Sequence, residues 1–158
     1  MKNNKTNVMR VLEQHKISYE SYSYGDGETP ASGTEVAEIL GKDPLNVFKT
    51  LVTVGKSGQN YVFVVPVPFE LDLKKAAEAV GEKNIEMIRS RELLPLTGYI
   101  HGGCSPIGMK KQLPTTVDIS AKDCPKILFS GGRIGLQVEI APADLEKVIP
   151  LRYADIVE

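Results

Sequence analysis

Residues 47–67, VFKTLVTVGKSGQNYVFVVPV, decide the fold. Two runs rich in Val, Phe, Thr and Tyr flank the turn-prone GKSGQN, and a β-hairpin is the simplest connection between them. In the first run Val47, Lys49, Leu51 and Thr53 share one face, while Phe48, Thr50, Val52 and Val54 share the other. Both faces are largely apolar, so the strand is expected to be covered on both sides. Lys49 is the exception. A lysine at this point reaches along the sheet to water, blocks pairing at an uncovered edge, or serves an anionic or polar group inside a pocket, and periodicity alone leaves these open.

Working outward, Val8, Val11, Leu12 and His15 recur at helical spacing, and ISYESYSY follows as a strand candidate. Ser32 and Glu35 form a capping-box pattern for TEVAEIL, closed by Gly41. Beyond the hairpin, Asp72 is placed to cap LKKAAEAV, ended by Gly81; IEMI is a short strand, and Ser90 is placed to cap RELL. TTVDIS, KILFS and LQVEI read as strands, and a last helix starts at Pro142 and runs to Pro150. Six or seven strands, four or five short helices and no steady βαβ rhythm predict an α+β domain on a mixed, curved or barrel-like sheet. With no repeat and no linker, residues 1–158 are expected to form one domain.

Composition excludes several classes. Hydrophobic residues at 42% and charged residues at 25% describe an ordinary globular chain, not a disordered one. No run approaches the roughly 20 apolar residues of a membrane span, and the N-terminus lacks a signal-peptide core, so a cytoplasmic protein without membrane contact is expected. Net charge is −1, which rules out a global electrostatic attraction to nucleic acid and leaves only local contact. Lys110-Lys111 is one candidate for phosphate, although such pairs are commonly solvated. The two histidines and two cysteines form no metal-ligand pattern, and no cofactor is expected.

Two glycine pairs, Gly102-Gly103 and Gly131-Gly132, end strand-like segments. Glycine lets backbone approach a ligand and aims successive N–H groups at one point, yet two ordinary turns would read the same. Cys104 invites a nucleophile reading with His101 as base, but their spacing does not bring the side chains together reliably, which favours a structural cysteine.

Taken together, VFKTLV, LDLKKAAEAVG, GYIHGGCSPIGMKKQLPTTVD and FSGGRIGLQVEIAPADL resemble, in order and spacing, the YbaK/EbsC family of free-standing aminoacyl-tRNA deacylases, relatives of the editing domain of bacterial prolyl-tRNA synthetases. The resemblance covers nearly the whole chain. It implies a pocket between the lysine strand and the glycine turns, and cleavage of mischarged Cys-tRNA(Pro), with the substrate's own thiol attacking its ester. It implies catalytic roles for Lys49, Gly102 and Gly103, and substrate contacts from Ser105 and Pro106 of the GGxSP loop and from Ser130, Gly131 and Gly132 of the second loop. Tyr22, Tyr24 and Thr50 fall at pocket-wall positions. Cys104 occupies the variable x, which argues against a nucleophilic role, and Gln137 stands where close relatives have aspartate. The implied partners are the aminoacylated 3′ end of tRNA and prolyl-tRNA synthetase. Competing expectations are water-mediated deacylation of Ala- or Ser-tRNA(Pro), and a module that binds aminoacyl-tRNA ends or a synthetase without turnover.

Overall fold

A computed structural model describes residues 5–158. The hairpin forms as expected: β2 (Phe48–Gly55) and β3 (Asn60–Pro66) run antiparallel, with Lys49 opposite Val65 and Val52 opposite Val62. β3 then pairs in parallel with β5 (Thr115–Asp118), and β5 in parallel with β8 (Leu151–Ala154). On the other side of β2, the short β4 (Ile85–Met87) pairs antiparallel with its C-terminal end. The five-stranded sheet is therefore mixed, ordered β4-β2-β3-β5-β8.

A second, antiparallel sheet is ordered β1 (Glu20–Ser23), β7 (Leu136–Ile140), β6 (Ile127–Ser130). It meets the first through one parallel bridge, Val47 to Leu128. The architecture is thus the expected α+β arrangement with a curved surface, but the barrel is not closed: the strands divide into two sheets joined at that bridge.

Helices cover what the sheets leave apolar. α1 (Asn7–Gln14) buries Val8 and Leu12 against Phe48, Val52, Phe129 and Val138 in the main core. Its cap, Thr6, accepts from the Met9 N–H and donates its hydroxyl to the Gly131 carbonyl at 2.6 Å, tying the helix start to the second glycine loop. The opposite face of the hairpin packs Phe63 and Val65 on Ala76 and Ala77 of α3 (Leu73–Val80), whose cap Asp72 accepts from the Lys74 and Lys75 N–H groups. α2 (Gly33–Leu40) closes a third cluster, Ala37 with Val47, Val67 and Leu128; its capping box is formed as the sequence indicates. α5 (Pro142–Val148) contributes Leu145 to the main core. Hairpin residues are therefore buried on both faces.

Several boundaries differ from expectation. ISYESYSY pairs only over Glu20–Ser23. Ser90 begins α4 (Ser90–Thr97) instead of capping it; the extended Arg89 takes the cap position and donates its N–H to Glu92 Oε1. TTVDIS stops at Asp118 because that buried carboxylate accepts from the Ser120 N–H and hydroxyl, turning the chain into a short 3₁₀ segment. The region around both glycines of the first pair is irregular backbone, not the end of a strand. Strand β8, unanticipated in the sequence, forms because β5 offers it a free parallel edge.

Candidate active site

β4 and β6 lie on the same side of β2 at its opposite ends. Among the described residues, no strand pairs with β2 on that side between the Val47 bridge and Thr53. The Val52 carbonyl accepts from the Ile88 N–H on this side. Alternate residues of a strand point their backbone groups the same way, so Thr50 turns its N–H and carbonyl into the same opening. A cavity of about 220 Å³ lies along this open edge. It falls below the roughly 300–1,000 Å³ usual for drug-sized ligands, so it admits only a small group.

One wall comes from α2 and its support: Gly33, Val36 and Val67. Gly33 is required there, because an added Cβ would stand 2.3 Å from Val67 Cγ1. Ile88, Arg89 and Leu93, around the start of α4, form another part of the lining. Lys49, Thr50, Gly102, Ser130, Gln137 and Tyr24 also line it. The described lining residues include the cations Lys49 and Arg89 and no carboxylate. Lys49 Nζ lies 3.6 Å from Glu70 Oε1, a contact in which the glutamate side chain is 75% exposed and the lysine 29%. Such an exposed pair contributes about 0–1 kcal/mol, so Lys49 is free to exchange Glu70 for another anion.

The glycine loops do more for each other than for the cavity. Gly102 lines it at φ +90°, a left-handed conformation disfavoured for side-chain-bearing residues. Gly103 lies behind: a Cβ there would meet the Arg133 Cα and carbonyl carbon at 3.0 Å, so the two loops pack backbone to backbone. Gly131 and Gly132 also stand outside the lining. Ser130 holds its loop by accepting the Gly132 N–H at 3.1 Å. Ser105 is fully buried and accepts from the Ile107 N–H, while Pro106 is buried beside it, so both shape the loop from within. Tyr22 turns away to donate to Glu139 at 2.9 Å, under the Lys42 ammonium, and steadies β1 beside α2.

Cys104 and His101 both line the cavity. Burial pushes the Cys104 thiol up to about 12, so at neutral pH it is a thiol, and neither cysteine is in a disulfide. That fits the structural reading of Cys104. Lys110, the phosphate candidate, reaches back to the Pro95 carbonyl of α4 at 3.4 Å.

Two polar atoms at the site stand without partners: Thr50 Oγ1 and Gln137 Oε1. Buried polar groups are almost always satisfied, so these two atoms are the cavity's candidate contacts for a polar ligand. Sequence reasoning did not find the walls from α2 and α4. The capping signals located both helices, but nothing in them states which strand edge each covers.

An aminoacyl-tRNA editing domain family matches residues 28–148. The Enterococcus faecalis protein EbsC, provisionally named a Cys-tRNA(Pro)/Cys-tRNA(Cys) deacylase, is 46% identical over 152 residues, 96% of this chain and 93% of its own. A proline–tRNA ligase of Trichlorobacter lovleyi shares 32% identity over 88 residues, 56% of this chain and 15% of the ligase. A crystal structure described provisionally as a trans-editing enzyme for prolyl tRNA synthetase superposes with a TM-score of 0.81 at 26% identity, over 97% of this chain and 98% of that one.

Proposed function

Because this chain belongs to the aminoacyl-tRNA editing family, we propose that it deacylates mischarged Cys-tRNA(Pro), acting as one editing domain over its whole length. The observation that carries this reading is the convergence of Lys49, Gly102, Ser130 and the open edge at Thr50 on one small cavity lined by cations and no carboxylate. That lining suits an ester attached to an anionic polymer, and it offers no carboxylate base to activate water.

An aminoacyl ester is already activated, so positioning and stabilisation of the developing oxyanion supply most of what the reaction needs. In the proposed sequence the cysteine thiol sulfur attacks its own carbonyl carbon, giving a tetrahedral oxyanion. The carbon–oxygen bond to the terminal ribose then breaks, the thiol proton passes to the departing ribose oxygen, and cysteine leaves as a cyclic thiolactone that water opens. Lys49 and backbone N–H groups at the open edge and the Gly102 turn hold the negative charge. Cys104 takes no part, since its thiol stays protonated.

The partners in this reading are the aminoacylated 3′ end of tRNA and prolyl-tRNA synthetase in the cytoplasm. The near-neutral charge of the chain supports a need for a second tRNA-binding protein. Deacylation of Cys-, Ala- and Ser-tRNA(Pro) by the purified chain tests the proposal. Fast loss of the cysteinyl ester alone, with a thiolactone product, is expected. Equal loss of all three would replace thiol attack by water, and no loss with saturable binding would make this a binding module.

A further inference from the structure

Gln137 is the most confined polar side chain in the cavity that no step above uses. It is 7% exposed, lies on β7 between Tyr22 of β1 and Ser130 of β6, and keeps its carboxamide oxygen unpartnered. Thr50 Oγ1, on β2, is a second unpartnered acceptor in the same lining. An amide oxygen turned toward the cavity is the orientation that the lining cations Lys49 and Arg89 favour electrostatically.

An aminoacyl ester brings one positive charge, its α-ammonium. Entering a cavity with two cations and no carboxylate, that group is repelled unless an acceptor receives it. We propose that Gln137 Oε1 accepts the substrate's α-ammonium, with Thr50 Oγ1 as the second acceptor, so that the site recognises only esters whose α-amine is free. This deepens the editing reading and rests on it. A neutral carboxamide does this without adding a negative charge beside the lining cations. The consequence is selectivity of class: aminoacyl-tRNA is taken, whereas N-acylated and peptidyl-tRNA, whose nitrogen is an uncharged amide, are refused.

The test uses adenosine carrying cysteine through a 3′-amide, which cannot be cleaved, with the amine free or N-acetylated. Affinity is measured by calorimetry on the full chain, on Gln137→Met and on the nearly isosteric Gln137→Glu. The wild type is expected to prefer the free amine by tenfold or more, Gln137→Met to lose most of that preference, and Gln137→Glu to increase it. The melting temperature of Gln137→Met should be unchanged or higher, because an unsatisfied buried polar group has been removed; a structural glutamine would give a fall. Equal weakening of both probes in Gln137→Met, or an undiminished preference in it, overturns the proposal. If Gln137→Met does not fold, Gln137→Glu decides: no gain in free-amine preference overturns it. A wild type that binds both probes equally sinks the amine contact and leaves editing intact. A wild type that binds neither sinks both readings.

Discussion

Replacing Gly33 by alanine tests whether the packing of α2 sets the shape of the cavity. The new Cβ would stand 2.3 Å from Val67 Cγ1 and 2.6 Å from Val67 Cβ. Carbon atoms in contact sit about 3.5–4.0 Å apart, so the helix start and the Val67 segment must separate by more than about 1 Å. Overpacking of this kind costs about 1–3 kcal/mol. Alanine recovers at most about 1 kcal/mol of helix propensity. A net loss of about 1–2 kcal/mol corresponds to a fall of roughly 3–6 °C in the melting temperature for a chain of this length. Both residues line the cavity, so the same displacement moves a wall. A misplacement of about 1 Å can cost on the order of 100-fold in rate, and kcat/KM for Cys-tRNA(Pro) is expected to fall by about 10- to 100-fold. The clash also predicts coupling. Val67→Ala removes Cγ1 but not Cβ, so the double variant should be more stable than the summed single effects by roughly 0.5 kcal/mol or more. Wild-type melting and kinetics for Gly33→Ala, or strict additivity with Val67→Ala, would refute the reasoning.

Three further outcomes are expected. Lys49→Met should melt within a few degrees of wild type, because its partner Glu70 is largely exposed. Its kcat/KM should nevertheless fall roughly 10²–10³-fold, the scale of losing one oxyanion-stabilising group; retained activity would return the lysine to the reading in which it blocks pairing at an open edge. Stability should decline as pH rises above about 9, since the folded chain keeps the Cys104 proton until about 12 while the unfolded chain releases it near 9.0. Urea midpoints between pH 8 and pH 11 read this, and Cys104→Ala should shrink the decline. Thr6→Ala removes both the α1 cap and the hydroxyl donated to Gly131, and should cost about 1–2 kcal/mol in urea unfolding; an unchanged midpoint would mean that the cap contributes nothing.

The hairpin and its two buried faces were legible because β2 and β3 write their burial into a dense run of branched and aromatic residues. Helix ends were legible wherever a side chain closes a local hydrogen bond, as at Ser32 and Asp72. Ser90 misled because a serine beside a helix start fits the cap pattern, while the actual cap position is set by the backbone of Arg89. β8 was hidden because its pairing depends on a parallel edge more than 30 residues away, which no local pattern encodes. At the site, Lys49 stood out as a charge in an apolar strand. The glycine pairs were visible as glycines, but their division of labour was not: Gly102 faces the cavity while Gly103 serves the contact between loops, and that depends on where the distant Arg133 backbone arrives.

The interrupted pairing along β2 has a consequence for the protein's behaviour in a crowded solution. An unpaired strand edge invites another chain to add itself, the step that begins sheet-to-sheet association. Here the opening is bounded by β4 at one end and the Val47 bridge to β6 at the other, so only a few residues of edge are bare and they line the cavity. A foreign strand therefore finds only those few residues to pair with. The same two flanking strands that frame the open edge thus also limit its capacity for association.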